Sequence, residues 1–199
     1  RQAEIPVVLI QHECPGVPCV VLTDVQGGYL ATQHLLELGH HRIGLIKGCL
    51  PSAARAEERL TGYQQALIKA ASIEPDSVLV VESDVHPNAG YQAMQQLLAL
   101  PEPPTAVFSH NDVLAVGAMH AIRAAGLSIP GDISIVGFDD TAASAHLAPP
   151  LTTIRFSRKE MGRQAATILF RAIEQDEDYE PYTVEVPVKL VVRASTGPP

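Results

Sequence analysis

The 199-residue sequence predicts a doubly wound α/β fold, a parallel sheet with helices on both faces. Three observations lead there. Short, nearly continuous Val/Ile-rich runs alternate with segments whose apolar residues recur every three or four positions. Asx residues and glycines stand at the junctions, where helix caps belong. Hydrophobic residues make up 46% of the chain and aromatic ones 5%, which suffices for one large or two small, mostly aliphatic cores.

The strand-like runs are IPVVLI (5–10), PCVVLT (18–23), RIGLIKG (42–48), SVLVVES (77–83), TAVFSH (105–110) and ISIVGFD (133–139). Helical faces separate most of them. In 25–38 the face carries Ala31, Leu35 and Leu38; in 57–71 it carries Leu60, Tyr63, Leu67 and Ala70; in 112–125 it carries Ala115, Met119 and Ile122. Asp24 and Asn111 occupy N-cap positions, as Asp112 also could, and Gly39 and Gly126 occupy C-cap positions. After Leu151 the order changes. TTIR reads as a short strand, 158–175 as a long helix, and TVEV and VKLVVR as strands that Pro187 separates, which suits a chain crossing between two lobes. The tail STGPP reads as frayed.

Composition excludes several classes. Charged or polar residues interrupt every apolar stretch before the ~18 residues a membrane span needs. RQAE leads straight into a strand without a start methionine or a signal peptide, so the chain reads as beginning inside a domain. A formal net charge of −8 repels phosphate backbones, and nucleic acid would need a separate basic module. Cys14, Cys19 and Cys49 show no metal-ligand spacing. Cys14 and Cys19 flank PGVP and could close a local disulfide, but free thiols in a reducing cytosol are the expected state. No metal or cofactor is implied, and nucleotide-loop, serine-elbow and zinc-helix motifs are absent.

In open α/β sheets ligands bind beyond the carboxyl ends of the strands. RIGLIKG is followed there by Ser52, Arg55 and Arg59, TAVFS by His110, Asn111 and Asp112, and ISIVGF by Asp139, Asp140 and Thr141. Hydroxyls, guanidiniums, an amide and carboxylates suit a small polar ligand. Each has a plainer reading. Arg55 and Arg59 could pair with Glu57 or Glu58, Asn111 and Asp112 could cap a helix, His110 could be packed, and the two acids could form an Asx turn. Adjacent residues on a strand end point in opposite directions, so Asp139 and Asp140 do not form a facing acid/base pair. Asp139 is the candidate acceptor for ligand hydroxyls, and Asp140 the anchor of the turn.

The stretches GHHRIGLIKG, EERLTGYQQAL, FSHNDVLAVGAMHAI, GDISIVGFDDT and PPLTTIR, taken together and in this order, resemble the LacI/GalR family of bacterial transcriptional regulators. The resemblance runs from Arg1 to about Thr196. It implies a periplasmic-binding-protein-like core of two α/β lobes joined by three crossovers, with ligand in the cleft. It assigns 1–22 and 155–187 to an incomplete N-terminal lobe, 23–154 to a complete C-terminal lobe, and 188–199 to a last strand and tail. Apolar surface is then expected where strands of the first lobe are missing.

Residue by residue, the resemblance places Arg59, Asn111 and Asp139 at ligand contacts, Phe156 at a position that varies with ligand, and Arg55 where some members carry a hydroxyl. The helix from Asp112 and the loop near Leu147 resemble the dimer face; Val116 and Met119 could equally be core. The implied function is the effector-sensing region of a cytoplasmic repressor that binds a sugar or sugar derivative without catalysis. It would act as a homodimer and contact operator DNA only through a helix-turn-helix domain that this sequence lacks. A periplasmic sugar receptor of a transport system is the alternative.

Overall fold

The computed structural model describes residues 5–49, 54–71, 73–76, 79–174 and 182–199. In chain order the elements are β1 (Leu9–Ile10), β2 (Cys19–Leu22), α1 (Asp24–Glu37), β3 (Ile43–Gly48), α2 (Ala54–Ala71), β4 (Val80–Ser83) and α3 (Pro87–Leu98). There follow β5 (Ala106–Ser109), α4 (Asp112–Ala124), β6 (Ser134–Phe138), β7 (Thr152–Phe156), α5 (Arg158–Glu174), β8 (Thr183–Val186) and β9 (Val188–Val191). The chain divides into two compact units: Arg1–Thr23 with Phe156–Val188, and Asp24–Arg155 with Lys189–Pro199.

The second unit holds a six-stranded sheet in the order β4-β3-β5-β6-β7-β9. The pairs β3/β4, β3/β5, β5/β6 and β6/β7 are parallel. Every residue of β3, β5 and β6 is buried, as strands covered on both faces require. Their side chains join Met94 and Leu97 of α3 and Leu114, Met119 and Ile122 of α4 in one aliphatic core. Met119 is therefore core, whereas Val116 is partly exposed. Gly39 and Gly126 carry the positive φ (99° and 79°) expected of helix C-caps.

Adjacent helices meet backbone to backbone. A Cβ on Gly62 of α2 would lie 2.0 Å from the Val25 carbonyl oxygen of α1, and one on Gly117 of α4 would lie 1.9 Å from that of Pro87 in α3. Only hydrogen fits in those gaps, so each pair packs at glycine contacts.

The first unit holds a parallel three-stranded sheet, β1-β2-β8, with α5 packed on it through Met161, Ala165 and Ile168. Of the run 5–10 only Leu9 and Ile10 pair; Ile5, Val7 and Ile10 are exposed, as are Phe170 and Ile173 of α5. The three thiols are free, with Cys19 buried and Cys14 and Cys49 exposed. Among the described residues no helix is long and apolar enough to cross a membrane, and no group of His, Cys, Asp and Glu could hold a metal ion.

Several sequence expectations change. The helix α3 was not assigned from sequence: its N-cap is His86, whose Nδ1 accepts the Ala89 N–H, and its buried face is mostly Ala and Gly. The helix α2 starts three residues before 57, at Ala54. The tail is not frayed. Ser195 is fully buried, its Oγ donating to the Ile135 carbonyl (2.7 Å) and accepting the Thr152 N–H (2.8 Å). The Gly197 carbonyl accepts from His40 Nε2 (2.8 Å) and Ser134 Oγ (3.1 Å). Pro187 does separate strands of the two units, β8 from β9.

Replacing Gly117 by Ala should cost about 2–3 kcal/mol, because α3 and α4 must part or the backbone must shift. Urea denaturation measures this, and a loss below about 0.5 kcal/mol would contradict the contact.

Candidate functional site

The strand order places the reversal of winding between β3 and β5. From β3 the chain goes out through α2 to β4 on one side, then returns through α3 to β5 on the other. Loops leaving the carboxyl ends of two such strands diverge and leave a crevice. Arg55 and Arg59 lie on α2, which follows β3; His110 and Asn111 follow β5; Asp139 follows β6. The strand-end rule thus brings four of the five expected residues, Arg55, Arg59, Asn111 and Asp139, to the same end of one sheet.

Arg59 is 4% exposed and held from three sides. Its Nε donates to Asp24 Oδ1 (2.6 Å), and an Nη1 hydrogen goes to the His110 carbonyl (2.5 Å). Its guanidinium carbon lies 3.6 Å from the centroid of the Phe138 ring. Burying this charge would cost several kcal/mol without a partner, and the carboxylate, carbonyl and ring face offset that cost together. A guanidinium has five N–H donors, so two fixed bonds leave others for a ligand.

Asp24 is the residue that sequence reasoning missed. It was read as an N-cap, but it is the first residue of α1 and its carboxylate goes to Arg59 instead. The signal is in the sequence, because Asp24 follows the apolar run PCVVLT and so itself stands at a strand end. Arg55 is half-buried, and burial lowers its pKa from the ordinary value, opposed by the nearby Asp24 charge. Of the two acids offered as plainer partners for Arg55, Glu57 holds Lys47 together with Glu82 (3.0 Å), while the Glu58 charge acts on Arg55.

Asn111 caps α4, its Oδ1 accepting the Leu114 N–H at 2.9 Å, which leaves the amide NH2 as its donor end. Asp112 does not cap. Its buried carboxylate accepts from Thr153 Oγ1 (2.6 Å), Ser144 Oγ (2.5 Å) and the Thr141 N–H (2.8 Å), so it ties the start of α4 to β7 and to the turn after β6. The expected packed role of His110 holds: it is 3% exposed and lies against Gly48, where a Cβ would come within 2.6 Å of its ring.

Asp139 and Asp140 have φ of 108° and 48°, both in the left-handed region. Such geometry costs about 1–3 kcal/mol per non-glycine residue and persists only where the surroundings impose it. They do, because the Asp139 N–H donates to the Ile154 carbonyl (2.8 Å), and Asp140 pairs with Arg155 and with Arg193 (2.6 Å). Burial alone would raise the Asp140 pKa, but hydrogen bonds from Arg193 and Arg155 outweigh it and hold the group below its ordinary value. Asp140 is the turn anchor expected, which fixes the backbone that presents Asp139. Phe156 falls in the first unit, half-buried, with the Arg158 guanidinium 4.8 Å from its ring centroid. Ser52 lies outside the described residues.

Chemically, this arrangement supplies charged and neutral hydrogen-bonding groups at a sheet end. The Ser109 hydroxyl donates to the Asn111 carbonyl at 3.1 Å.

Comparisons with known proteins bear on the fold and the family. The family model described as periplasmic binding protein-like domain matches residues 32–196. The "HTH-type transcriptional repressor PurR" of Haemophilus influenzae (strain PittEE) is 44% identical over 196 residues, covering 96% of this chain and 57% of its own length. The chain thus spans somewhat over half of that curated relative. Among solved structures, a LacI family transcriptional regulator from Enterococcus faecium with bound ribose superposes with a TM-score of 0.86 at 32% identity, over 98% of this chain and 71% of the other. A complex of the transcriptional regulator CelR with cellobiose gives the same TM-score and identity, over 98% and 66%.

Burial pushes the His110 pKa down to about 3 from 6.5, helped by Arg59, Arg55 and Lys47. The unfolded histidine takes up a proton below about 6.5 and the folded one only near 3. The stability this group contributes is therefore complete above pH 6.5 and falls towards pH 3, by at most about 1.4 kcal/mol per unit. Imidazole 15N shifts should report His110 as neutral at pH 5; a titration midpoint near 6.5 would contradict its burial.

Proposed function

The chain belongs to the LacI family of transcriptional regulators, as their periplasmic binding protein-like effector-binding domain, and we propose that its second unit binds a sugar or sugar derivative at the ends of β3, β5 and β6. Arg59 and Asp139 make the principal contacts, and the Asn111 amide and Arg55 add to them. The observation that carries this reading is the placement of Arg59. A buried guanidinium is fixed in position by Asp24 and the His110 carbonyl with donors to spare, beside an Asp139 held in a strained conformation. Groups already held in place bind a ligand with little ordering cost.

The named ligands of two relatives, ribose and cellobiose, support a sugar, and the repressor names of other relatives support binding without turnover. In the whole protein, ligand would shift the balance between two global states and so change operator affinity. Operator contact would come from a helix-turn-helix segment outside this sequence, in a cytoplasmic homodimer.

Titration calorimetry on the full-length protein with sugars, sugar derivatives, nucleosides and purines tests the site. For the compound that binds best, Arg59→Ala and Asp139→Ala should each weaken affinity tenfold or more, since a hydrogen bond to a charged group contributes about 1.5–3 kcal/mol. If both variants stay within about threefold of wild type, the ligand is held elsewhere.

A further inference from the structure

Two buried polar atoms beside this site have no hydrogen-bond partner: Asp24 Oδ2, an acceptor, and Arg55 Nε, a donor. Asp24 is 2% exposed, with its other oxygen committed to Arg59. Arg55 stands one turn before Arg59 on α2, and Arg59 holds the other Asp24 oxygen, so the two orphaned atoms belong to one locality. Buried polar atoms are normally paired, and an orphaned carboxylate oxygen is costly to keep. The two atoms are complementary in kind, and one hydroxyl can both donate and accept.

We propose that Asp24 and Arg55 read a hydroxyl of the ligand: Asp24 Oδ2 accepts its proton and Arg55 Nε donates to the same ligand. This rests on the binding site proposed above and names the ligand class as polyhydroxylated, such as a sugar or the ribose of a nucleoside, as distinct from a flat base alone. The Phe138 ring beside Arg59 is fully buried with the guanidinium on its face, so this ring offers no free face for a base to stack on. Both orphaned atoms are covered. Arg59 is pinned, whereas Arg55 is only half-buried, so Arg55 is the side chain that turns aside to admit the ligand. Asp24 thereby has two functions, one oxygen positioning Arg59 and the other selecting the ligand.

The test is a thermodynamic cycle by calorimetry on the full-length protein, with D-ribose, cellobiose, adenosine and adenine as probes. Deoxy analogues of the best-binding hydroxylated probe follow. In the wild type, one deoxy analogue should bind roughly tenfold or more weakly than its parent. That penalty should shrink to less than about threefold in Asp24→Asn, which keeps an oxygen for Arg59, and likewise in Arg55→Met, which keeps the stem. Should Asp24→Asn fail to fold, Arg55→Met alone decides. A penalty unchanged by the substitutions, or adenine binding as tightly as adenosine, overturns the proposal and leaves the orphaned atoms to water. Arg59→Ala and Asp139→Ala run in parallel separate the two readings. If they abolish binding while the cycle shows no coupling, only the Asp24–Arg55 pair falls. If they leave affinity unchanged, or no probe binds, the site itself falls.

Discussion

Arg59 carries a charge into a place almost closed to water, and the strand ends around it are arranged to make that tolerable. Asp24 at the head of α1 supplies the counter-charge, the backbone after β5 supplies a carbonyl, and Phe138 at the end of β6 supplies a ring face. One side chain on α2 thus ties together segments that lie far apart in sequence. Loss of Asp24 would leave a buried, uncompensated cation, the costliest way of breaking such a pair. The glycine contacts serve the same end, because α1 and α2 must approach closely for residues 24 and 59 to meet. A Cβ on Gly28 would lie 2.2 Å from the carbonyl oxygen of Arg59 itself.

A second buried carboxylate does comparable work in the next layer. Asp112 gathers two hydroxyls and a backbone N–H from the turn after β6 and from β7, while Asp140 gathers Arg155 and Arg193. Between them these acids hold the segment in which Asp139 adopts its left-handed geometry. Three of these carboxylates have distinct tasks: Asp24 positions a cation, and Asp112 and Asp140 hold backbone. Tight networks of this kind suit a binding surface that must hold its shape before the ligand arrives.

Much of this was legible in the sequence. Val/Ile runs and three-four periodicity identified the buried parallel strands and the helices α1, α2, α4 and α5, because burial on both faces leaves few other residue choices. The helix α3 escaped because His86 is an unusual cap and Ala89, Gly90 and Ala93 make a weak apolar stripe. Reading strand ends pointed to Arg55, Arg59, Asn111 and Asp139, which the fold carries to one end of the sheet. It misread Asp24 and Asp112 as caps, since both sit at helix starts and their partners lie 29 to 41 residues away. Pairing across such separations is a product of topology, which local spacing does not encode. The tail was misjudged for the same reason, because Ser195 and Gly197 are held by Ile135, Thr152, Ser134 and His40.

The central claim is that a ligand is held at the ends of β3, β5 and β6 around a preset Arg59. A crystal structure of the full-length protein with the best-binding sugar or nucleoside addresses it most directly. The account predicts ligand oxygens within ordinary hydrogen-bond distance, about 2.7–3.2 Å, of the Arg59 guanidinium and the Asp139 carboxylate. A ligand bound without touching either, for instance in the groove beside Tyr91 and His120 on α3 and α4, would contradict it.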